Sequence, residues 1–236
     1  MDPLLISAAG GMKSRMDSLD LLANNIANSG TAGYKSDREF YGLYKDQLPV
    51  LQNSWTDFSQ GSLTQTGNPL DLALSGSGLF ALNSPNGTIF TRSGNFQVSK
   101  SNQLATPEGY TLRNVLDQGK PITVDPLQPV TISKNGTVSQ GGQDLGQIEI
   151  DSPDAAAQSL AKLGNSYFAM IAGAPALQPS PTTDVLQGQI EQSNTPVAEA
   201  AVKLVGVMRQ FEMLQKAMTL GSEMSKRGID EVAKVA

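Results

Sequence analysis

The sequence predicts an α+β chain in which two long terminal helices pair as an α-helical coiled-coil domain and an antiparallel β-domain is inserted between them. Three observations carry this. Apolar or small residues at Leu5, Ala9, Met12, Met16, Leu19, Ala23 and Ile26 repeat at alternating intervals of four and three, the seam of a helix that packs lengthwise on other helices. The same repeat returns at Val197, Ala200, Leu204, Val207, Phe211, Leu214, Met218 and Gly221. Between them lie short alternating or apolar runs punctuated by turn residues, the pattern of a small β sandwich or barrel.

The first helix is predicted over Pro3 to Asn28. Asp2-Pro3 provides an N-cap and first-turn proline, and Gly30 a stop. Gly10-Gly11 costs about 2 kcal/mol of helix propensity against alanine, which fits either close approach of a neighbouring helix or a tolerated flexible point. Asn24, Asn25 and Asn28 in the last turns are mediocre helix formers because their amides compete for backbone hydrogen bonds. They fit either amides that bond outside the helix or a fraying C-terminus.

Residues 34–60 lose all periodicity and carry Tyr34, Phe40, Tyr41, Tyr44, Trp55 and Phe58. They read as an extended or partly helical connector whose aromatics anchor it on a surface of its own subunit. From 61 to 184 the chain is β-rich. Leu70–Leu74 alternates as a half-buried strand. Hairpins are predicted across Pro85-Asn86-Gly87, Lys100-Ser101-Asn102 and Asn135-Gly136, with a further strand at Gln147–Ile150. Asp154–Lys162 is alanine-rich and predicts a short helix. Tyr167–Ile171 reads as a strand and Ala174–Thr183, with three prolines, as a turn or linker. The last part, 185–236, is an extended return segment followed by the second helix. Thr195-Pro196 opens that helix, Glu199 suits its positive end, and Lys226-Arg227 with Gly228 closes it. The helical domain is thus built from 1–33 and 185–236, on either side of the connector and the β-domain.

Composition excludes much chemistry. The 236 residues include no cysteine and no histidine, so thiol nucleophiles, Cys/His zinc sites, Ser-His-Asp triads and imidazole acid–base catalysis are out. Net charge is −5 with no block of like charge, which argues against nucleic acid. No apolar stretch approaches the ~18 residues of a membrane span, and the N-terminus lacks the charged-then-apolar order of a cleaved signal. Gly76-Ser77-Gly78-Leu79-Phe80-Ala81 has the form of a dinucleotide-binding turn. A hairpin rather than a helix follows it, so it reads as a tight β connection. Asn86 and Asn135 match glycosylation sequons but are better explained as hairpin turns. Asp71 in its apolar strand has no acidic or basic partner in the sequence and reads as an outward or hydrogen-bonded carboxylate. Met208, Met213, Met218 and Met224 are packing residues rather than a metal box.

The second helix carries more apolar surface than one partner helix covers: Val202, Val205 and Met208 lie off its seam. A helix apolar over more than half its circumference is buried from several sides; the remaining faces are covered either by the β-domain of the same chain or by a neighbour, and a face left open by a single pairing marks an interface.

LANNIANSGTAGYK (Leu22–Lys35) resembles the N-terminal signature of the bacterial flagellar rod, hook and hook-filament-junction family. The resemblance continues through GSLTQTGNPLDLALSGSGLF, FTRSGNFQ and GQIEQSNTPVAEAAVKLVGVMRQFEMLQKAM, which together reach Met218. The short length and the MRQFEM stretch are most like the family's proximal rod members, with distal rod members next. The resemblance implies a structural subunit without catalysis or cofactor, polymerised by helix packing into the axial shaft of the basal body. Its partners would be other rod subunits and the flagellar export apparatus, and it would reach the periplasm-spanning rod without a cleaved signal peptide. The expected assembly interface comprises Leu5, Met12, Met16, Leu19, Ala23, Asn24, Asn25, Ile26 and Asn28 on the first helix, and Val197, Leu204, Val207, Phe211, Leu214 and Met218 on the second. From a different class, a monomeric β-rich binding module with a self-contained helix pair stays open, and it predicts compact helical protein at high dilution. A carboxylate hydrolase needs an acid pair in a cleft.

Overall fold

The computed structural model describes residues 3–43, 49–153, 159–164, 166–180 and 182–235, with side chains described for all of these but 3–7, 40–43, 49–53, 225 and 228–235. Its elements run α1 (Pro3–Ala27), β1 (Asp37–Leu43), β2 (Pro49–Thr56), β3 (Leu63–Gln65), β4 (Leu72–Ser75), β5 (Leu79–Ser84), β6 (Gly87–Thr91), β7 (Gln97–Val98), β8 (Leu104–Ala105) and β9 (Thr111–Leu112). After a 3-10 turn at Val115–Asp117 come β10 (Thr131–Ile132), β11 (Thr137–Gln140), β12 (Gln143–Gln147), β13 (Ile150–Ser152), β14 (Leu160–Gly164), β15 (Tyr167–Met170), β16 (Gln178–Pro179), β17 (Asp184–Gln187), β18 (Gln189–Glu191) and α2 (Val197–Val235). The architecture is α+β, with a large antiparallel β region between an N-terminal and a C-terminal helix. The chain divides into two compact units. One comprises Met1–Ala27, Asp37–Trp55 and Pro196–Ala236, the other Asn28–Ser36 and Thr56–Thr195.

In the first unit α1 and α2 lie against each other. Leu214 sits over Gly11, where an added Cβ would stand 3.4 Å from a Leu214 methyl, an ordinary contact distance, and among the described residues one at Gly10 would meet nothing within 4 Å, so the packing seen here does not require glycine at either position. β1 and β2 pair as a two-stranded ribbon, so within the 34–60 stretch these two segments take the extended alternative rather than the partly helical one. The second helix also runs on through Gly228 to Val235, beyond the stop that glycine suggested. A glycine costs a helix interior about 1 kcal/mol; without a following proline, and with Glu231, Ala233 and Lys234 beyond, that does not end it.

The second unit is built around β5. It pairs antiparallel with β6, β9 and β13 in a nine-stranded sheet that reads β14-β15-β6-β5-β9-β8-β7, with β13 and β16 attached. Each predicted hairpin is present: β5–β6 around Pro85-Asn86, β7–β8 around Ser101-Asn102, and β10–β11 around Asn135-Gly136. The two sequons are therefore turns. The strand expected at 147–150 is instead broken at Ile148, which bridges to Asn114 while β12 and β13 pair elsewhere. The expected alanine-rich helix is corrected over 160–162, where β14 pairs with β15; 154–158 lie outside the described residues. Cross-strand contacts such as Lys162 opposite Phe168 override a helix propensity worth only tenths of a kcal/mol per residue.

The core explains why β4 is not a half-exposed strand. Leu72, Ala73 and Leu74 are all buried; one flank of β4 pairs with β17, and Leu72 and Leu74 pack into an apolar cluster. Leu72, Leu74, Phe80, Leu82, Phe96 and Leu112 share one cluster with Ile132, Val138 and Ile148. Phe80 and Phe96 meet edge to face at 5.2 Å, a favoured aromatic geometry. A second cluster gathers Leu79, Ala81, Phe90, Phe168 and Leu177, with Phe58 from the former connector packed on Phe168 at 5.1 Å.

Candidate assembly interface

On α2 the predicted seam is the shielded stripe. Ala200 is buried, and Leu204, Val207, Phe211, Leu214, Met218 and Gly221 are partly buried, while the positions between them up to Met224 are exposed. Val197, at the start of that seam, is 46% exposed. On the other faces Val202 is 74% exposed, Met213 62%, Leu220 61% and Met224 73%. With Gly206 and Ala217, these four fall at helical spacings of four, seven, four, three and four, so they form a second stripe along α2 that is exposed among the described residues. Charged residues flank it, and Lys203 pairs with Glu199 one turn earlier at 2.6 Å. That hydrogen bond holds the Glu199 carboxyl below its usual range.

On α1 the shielded stripe is different from the apolar seam. Gly11 is partly buried, and Ser14, Ser18, Leu22 and Asn25 are buried. Of the expected interface residues, Met12, Leu19 and Ile26 are partly buried, Met16 is 52% exposed, and Ala23 is exposed; the side chain of Leu5 lies outside the described residues. Ser18 satisfies its hydroxyl on the Ser14 carbonyl at 3.1 Å, the back-bonding that lets a serine sit on an inward helix face. The helix therefore turns a small, polar stripe inward and leaves part of its methionine–alanine seam outward.

The asparagines separate. The Asn25 side chain donates from Nδ2 to the Asp37 carbonyl at 2.8 Å and accepts from the Asp37 amide at 3.0 Å. One amide thus serves both backbone groups of the first residue of β1, as a neighbouring strand would. Asn28 shapes the turn that follows, with its carbonyl accepting from the Thr31 amide at 3.0 Å and its Oδ1 from the Thr31 hydroxyl at 3.4 Å. Asn24 is exposed.

The second unit holds a cluster whose members sit inside the recognised segments but whose role the sequence reading missed. Glu191, fully buried, accepts at Oε1 from Lys35 Nζ at 2.7 Å and from the Gly61 amide at 2.8 Å, and at Oε2 from Arg92 Nε at 2.5 Å. Lys35 and Arg92 are as buried as their partner. Lys35 also donates to the Ser59 carbonyl at 2.6 Å. Arg92 donates to the carbonyls of Leu74, Gly76 and Gly78, so the glycine turn once compared with a nucleotide loop wraps a guanidinium instead. Burial pushes the Lys35 ammonium below its usual range, and Glu191 with the nearby Asp57 pulls it back up. Asn194 adds amide bonds to the Asp57 and Ser59 carbonyls and accepts from the Ser36 amide. Two glycines permit this packing. Gly33 has φ +65°, and an added Cβ would lie 2.2 Å from the Ser93 amide. At Gly94 an added Cβ would lie 1.5 Å from the Leu72 carbonyl oxygen. The readable signal was a charge placed next to apolar strand residues, as in Ile89-Phe90-Thr91-Arg92 and Gln189-Ile190-Glu191.

Asp71 is buried and accepts from Asn68 Nδ2 at 3.0 Å, a hydrogen-bonded carboxylate as expected. Among the described residues no cluster of acidic side chains has the spacing of a metal site, and no helix is long and apolar enough to cross a membrane.

A chain of this build, with a β-rich body between two terminal helices, one of them carrying an exposed apolar stripe, is of the class of assembly subunits. Comparison with known proteins gives the particular family. Residues 5–35 match the model of the flagella basal body rod protein, 73–140 that of the flagellar hook protein FlgE/F/G D1 domain, and 186–231 that of the flagellar basal body rod FlgEFG protein C-terminal region. The chain is similar to the flagellar basal-body rod protein FlgF of Caulobacter vibrioides, with 32% identity over 92% of each chain. It is also similar to FlgF of Mesorhizobium japonicum, with 32% identity over 82% of this chain and 83% of the relative, and to FlgG of Bacillus subtilis, with 29% identity over 93% and 95%. The chain belongs to the flagellar basal-body rod protein family.

Proposed function

We propose that this chain is a structural subunit of the proximal part of the flagellar rod, polymerised by its terminal helices into the shaft that transmits torque from motor to hook. The observation that carries the reading is the second apolar stripe of α2, Val202-Met213-Leu220-Met224, which stays exposed after α1 has covered the first. A soluble chain keeps such a stripe only if a neighbour buries it. Subunits that add end to end need heterologous contacts that do not close on themselves, and a helix with two separate seams supplies them. In this reading α1 and α2 form a coiled-coil pair in the helical domain. Residues Leu5 to Asn28 and Val197 to Met218 then contribute to the shared packing, alongside the second stripe. The β-rich part, near 61–184, stays outside it. The chain crosses the periplasm within the rod, having left through the flagellar export apparatus without a cleaved signal peptide. Similarity to FlgF chains supports the proximal position; the FlgG relatives keep the distal one as a second reading.

The test is complementation of a strain lacking the gene with Val202→Asp/Leu220→Asp. A carboxylate forced into an apolar seam costs several kcal/mol at every repeat. The variant is therefore expected in the cell at normal levels, without swarming on soft agar, and with rods that end short in electron micrographs of basal bodies. Normal swarming and full-length rods would overturn the assembly role of this stripe.

A further inference from the structure

We infer that Glu191 is the keystone of the β unit: the unit closes only when the return segment carrying this residue arrives, so a chain emerging N-terminus first stays open until nearly all of it is available. The inference stands apart from the assembly reading, because every residue in it lies within the second unit.

The geometry gives Glu191 two cations to satisfy. Lys35 lies 156 residues before it and Arg92 99 residues before it. They occupy different oxygens of one carboxylate, and it is the single anion that both contact among the described residues. Remove it and two buried positive charges face each other with carbonyls and the more distant Asp57 for company. An unpaired buried ion costs several kcal/mol, against a total stability of about 5–15 kcal/mol for a domain. Asymmetry follows: losing Glu191 strands two charges, whereas losing Lys35 leaves a matched Arg92–Glu191 pair.

The same short segment closes the strands around it. β17 pairs with β4 over Val185–Leu74 and Leu186–Ala73, and β18 pairs with β3 over Ile190–Thr64. The Glu191 carbonyl accepts from the Gly33 amide at 2.8 Å, and Asn194 binds the backbone at Ser36, Asp57 and Ser59. Residues 184–194 therefore supply at once the ladder partners of β3 and β4, the counter-charge of Lys35 and Arg92, and the ties to residues 33–36. Without them the core strand β4 has an open edge and the cluster has no anion.

The test is refolding of the full chain from urea with pulsed hydrogen exchange, in the wild type and in Glu191→Gln, Lys35→Met and the Glu191→Gln/Lys35→Met double variant. In the wild type, amides of Leu74, Leu82 and Phe90 are expected to gain protection in the same kinetic phase as Ile190. Glu191→Gln is expected to lower the equilibrium protection of those core amides on the order of a hundredfold or more, and Lys35→Met by at least tenfold less. Adding Lys35→Met to Glu191→Gln is expected to restore at least part of the loss, because it removes one stranded charge. If Glu191→Gln alone does not fold, recovery of protected core amides in the double variant supports the inference and its absence overturns it. Full protection of Leu82 and Phe90 before Ile190 in the wild type would overturn it, as would Glu191→Gln losing no more than Lys35→Met.

Discussion

Leu74 and Leu220 are the same residue type in one chain, yet the first is fully buried and the second is 61% exposed. Leu74 sits in β4, paired with β17 and packed with Phe80 and Phe96 in the core of the β unit. Leu220 sits on α2, off the stripe that meets α1. The most buried ion pairs lie in the β unit, which also carries the exposed Lys120–Asp117 pair. Lys35, Arg92 and Glu191 are buried and bonded on every side in the β unit, while the Glu199–Lys203 pair of α2 stands open to water. The β unit encloses its two apolar clusters and its Lys35–Glu191–Arg92 cluster, though Leu116, Leu127 and Leu163 stay exposed. On α2 the exposed Val202, Met213, Leu220 and Met224 align on one face of a helix, and on the proposed reading that alignment is where a neighbour packs.

The largest expected effect tests the self-sufficient half. Gly94→Ala places a Cβ 1.5 Å from the Leu72 carbonyl oxygen, a backbone atom held in the middle of the core. The cost should exceed ~4 kcal/mol, the range reserved for severe core damage. Near-ultraviolet circular dichroism of the tyrosines and hydrogen exchange of β4 and β5 should report loss of the β unit. A stable Gly94→Ala protein, within ~1 kcal/mol of the parent in urea unfolding, would show that the β unit gives way more easily than its packing implies.

A smaller effect, of opposite sign, comes from Asp151 in β13. It is buried beside the exchange between Arg113 and Glu149 at 2.9 Å. Burial, with help from Glu149 and against Arg113, raises its pKa from 3.8 to about 6. A carboxyl that binds its proton more tightly when folded destabilises the fold wherever it must ionise. The penalty is full above about pH 6, is relieved as pH falls through that value, and is gone below the unfolded pKa near 4. Asp151→Asn should therefore raise stability at pH 8 by on the order of 2 kcal/mol, and should abolish the gain in stability that the parent shows between pH 7 and pH 4.5. Urea midpoints across that range are the measurement, and parallel profiles for the two proteins would rule the effect out.

How much of this was written in the sequence differs between the halves. The helices were legible because a 3.6-residue period is a local property, and the seam Leu204-Val207-Phe211-Leu214 survives into the structure as the shielded stripe of α2. On α1 the same reasoning missed the inward face. Ser14, Ser18 and Asn25 are polar, so a hydrophobicity pattern passes over them, and only their hydrogen bonds explain their burial. The hairpins were legible because turn residues punctuate them, Asn-Gly at 86–87 and 135–136 and Lys100-Ser101-Asn102 in the third. β1, β2 and β14 were not, since their pairing depends on distant or neighbouring strands rather than on propensity. The ion cluster was least legible: Lys35, Arg92 and Glu191 are far apart in sequence, and nothing local says that they share a carboxylate.

A middle-sized prediction concerns Asn25, the one helix-end asparagine seen serving both backbone groups of Asp37. In Asn25→Ala the helix gains a few tenths of a kcal/mol in propensity, but the Asp37 amide and carbonyl lose their partner at about 1–3 kcal/mol. A net loss of about 1 kcal/mol in the first unit is expected, seen as faster exchange of the Asp37 amide with that of Leu82 unchanged. Unchanged exchange at Asp37 would return Asn25 to the role of an ordinary helix-end residue.

The smallest expected effect is the sharpest for the comparison, because it sets two leucines of one helix against each other. Leu214 contacts Gly11 and is partly buried; Leu220 is on the second stripe and exposed. Both change to alanine, which has the better helix propensity by only ~0.2 kcal/mol, so any difference between the variants reports packing. Truncating Leu214 removes methyl groups from the α1–α2 contact and should cost about 1–2 kcal/mol, in the lower part of the range for leucine truncation because the site is only half buried. Truncating Leu220 in the isolated chain should stay within ~0.5 kcal/mol, as for surface substitutions in general. The reading is the helical ellipticity of dilute protein at 222 nm through a urea titration. Leu214→Ala should shift the helix transition to lower urea and Leu220→Ala should leave it in place. Equal shifts would mean that α2 is covered on both stripes within the single chain, and the exposed stripe would lose its meaning as the seat of a neighbour.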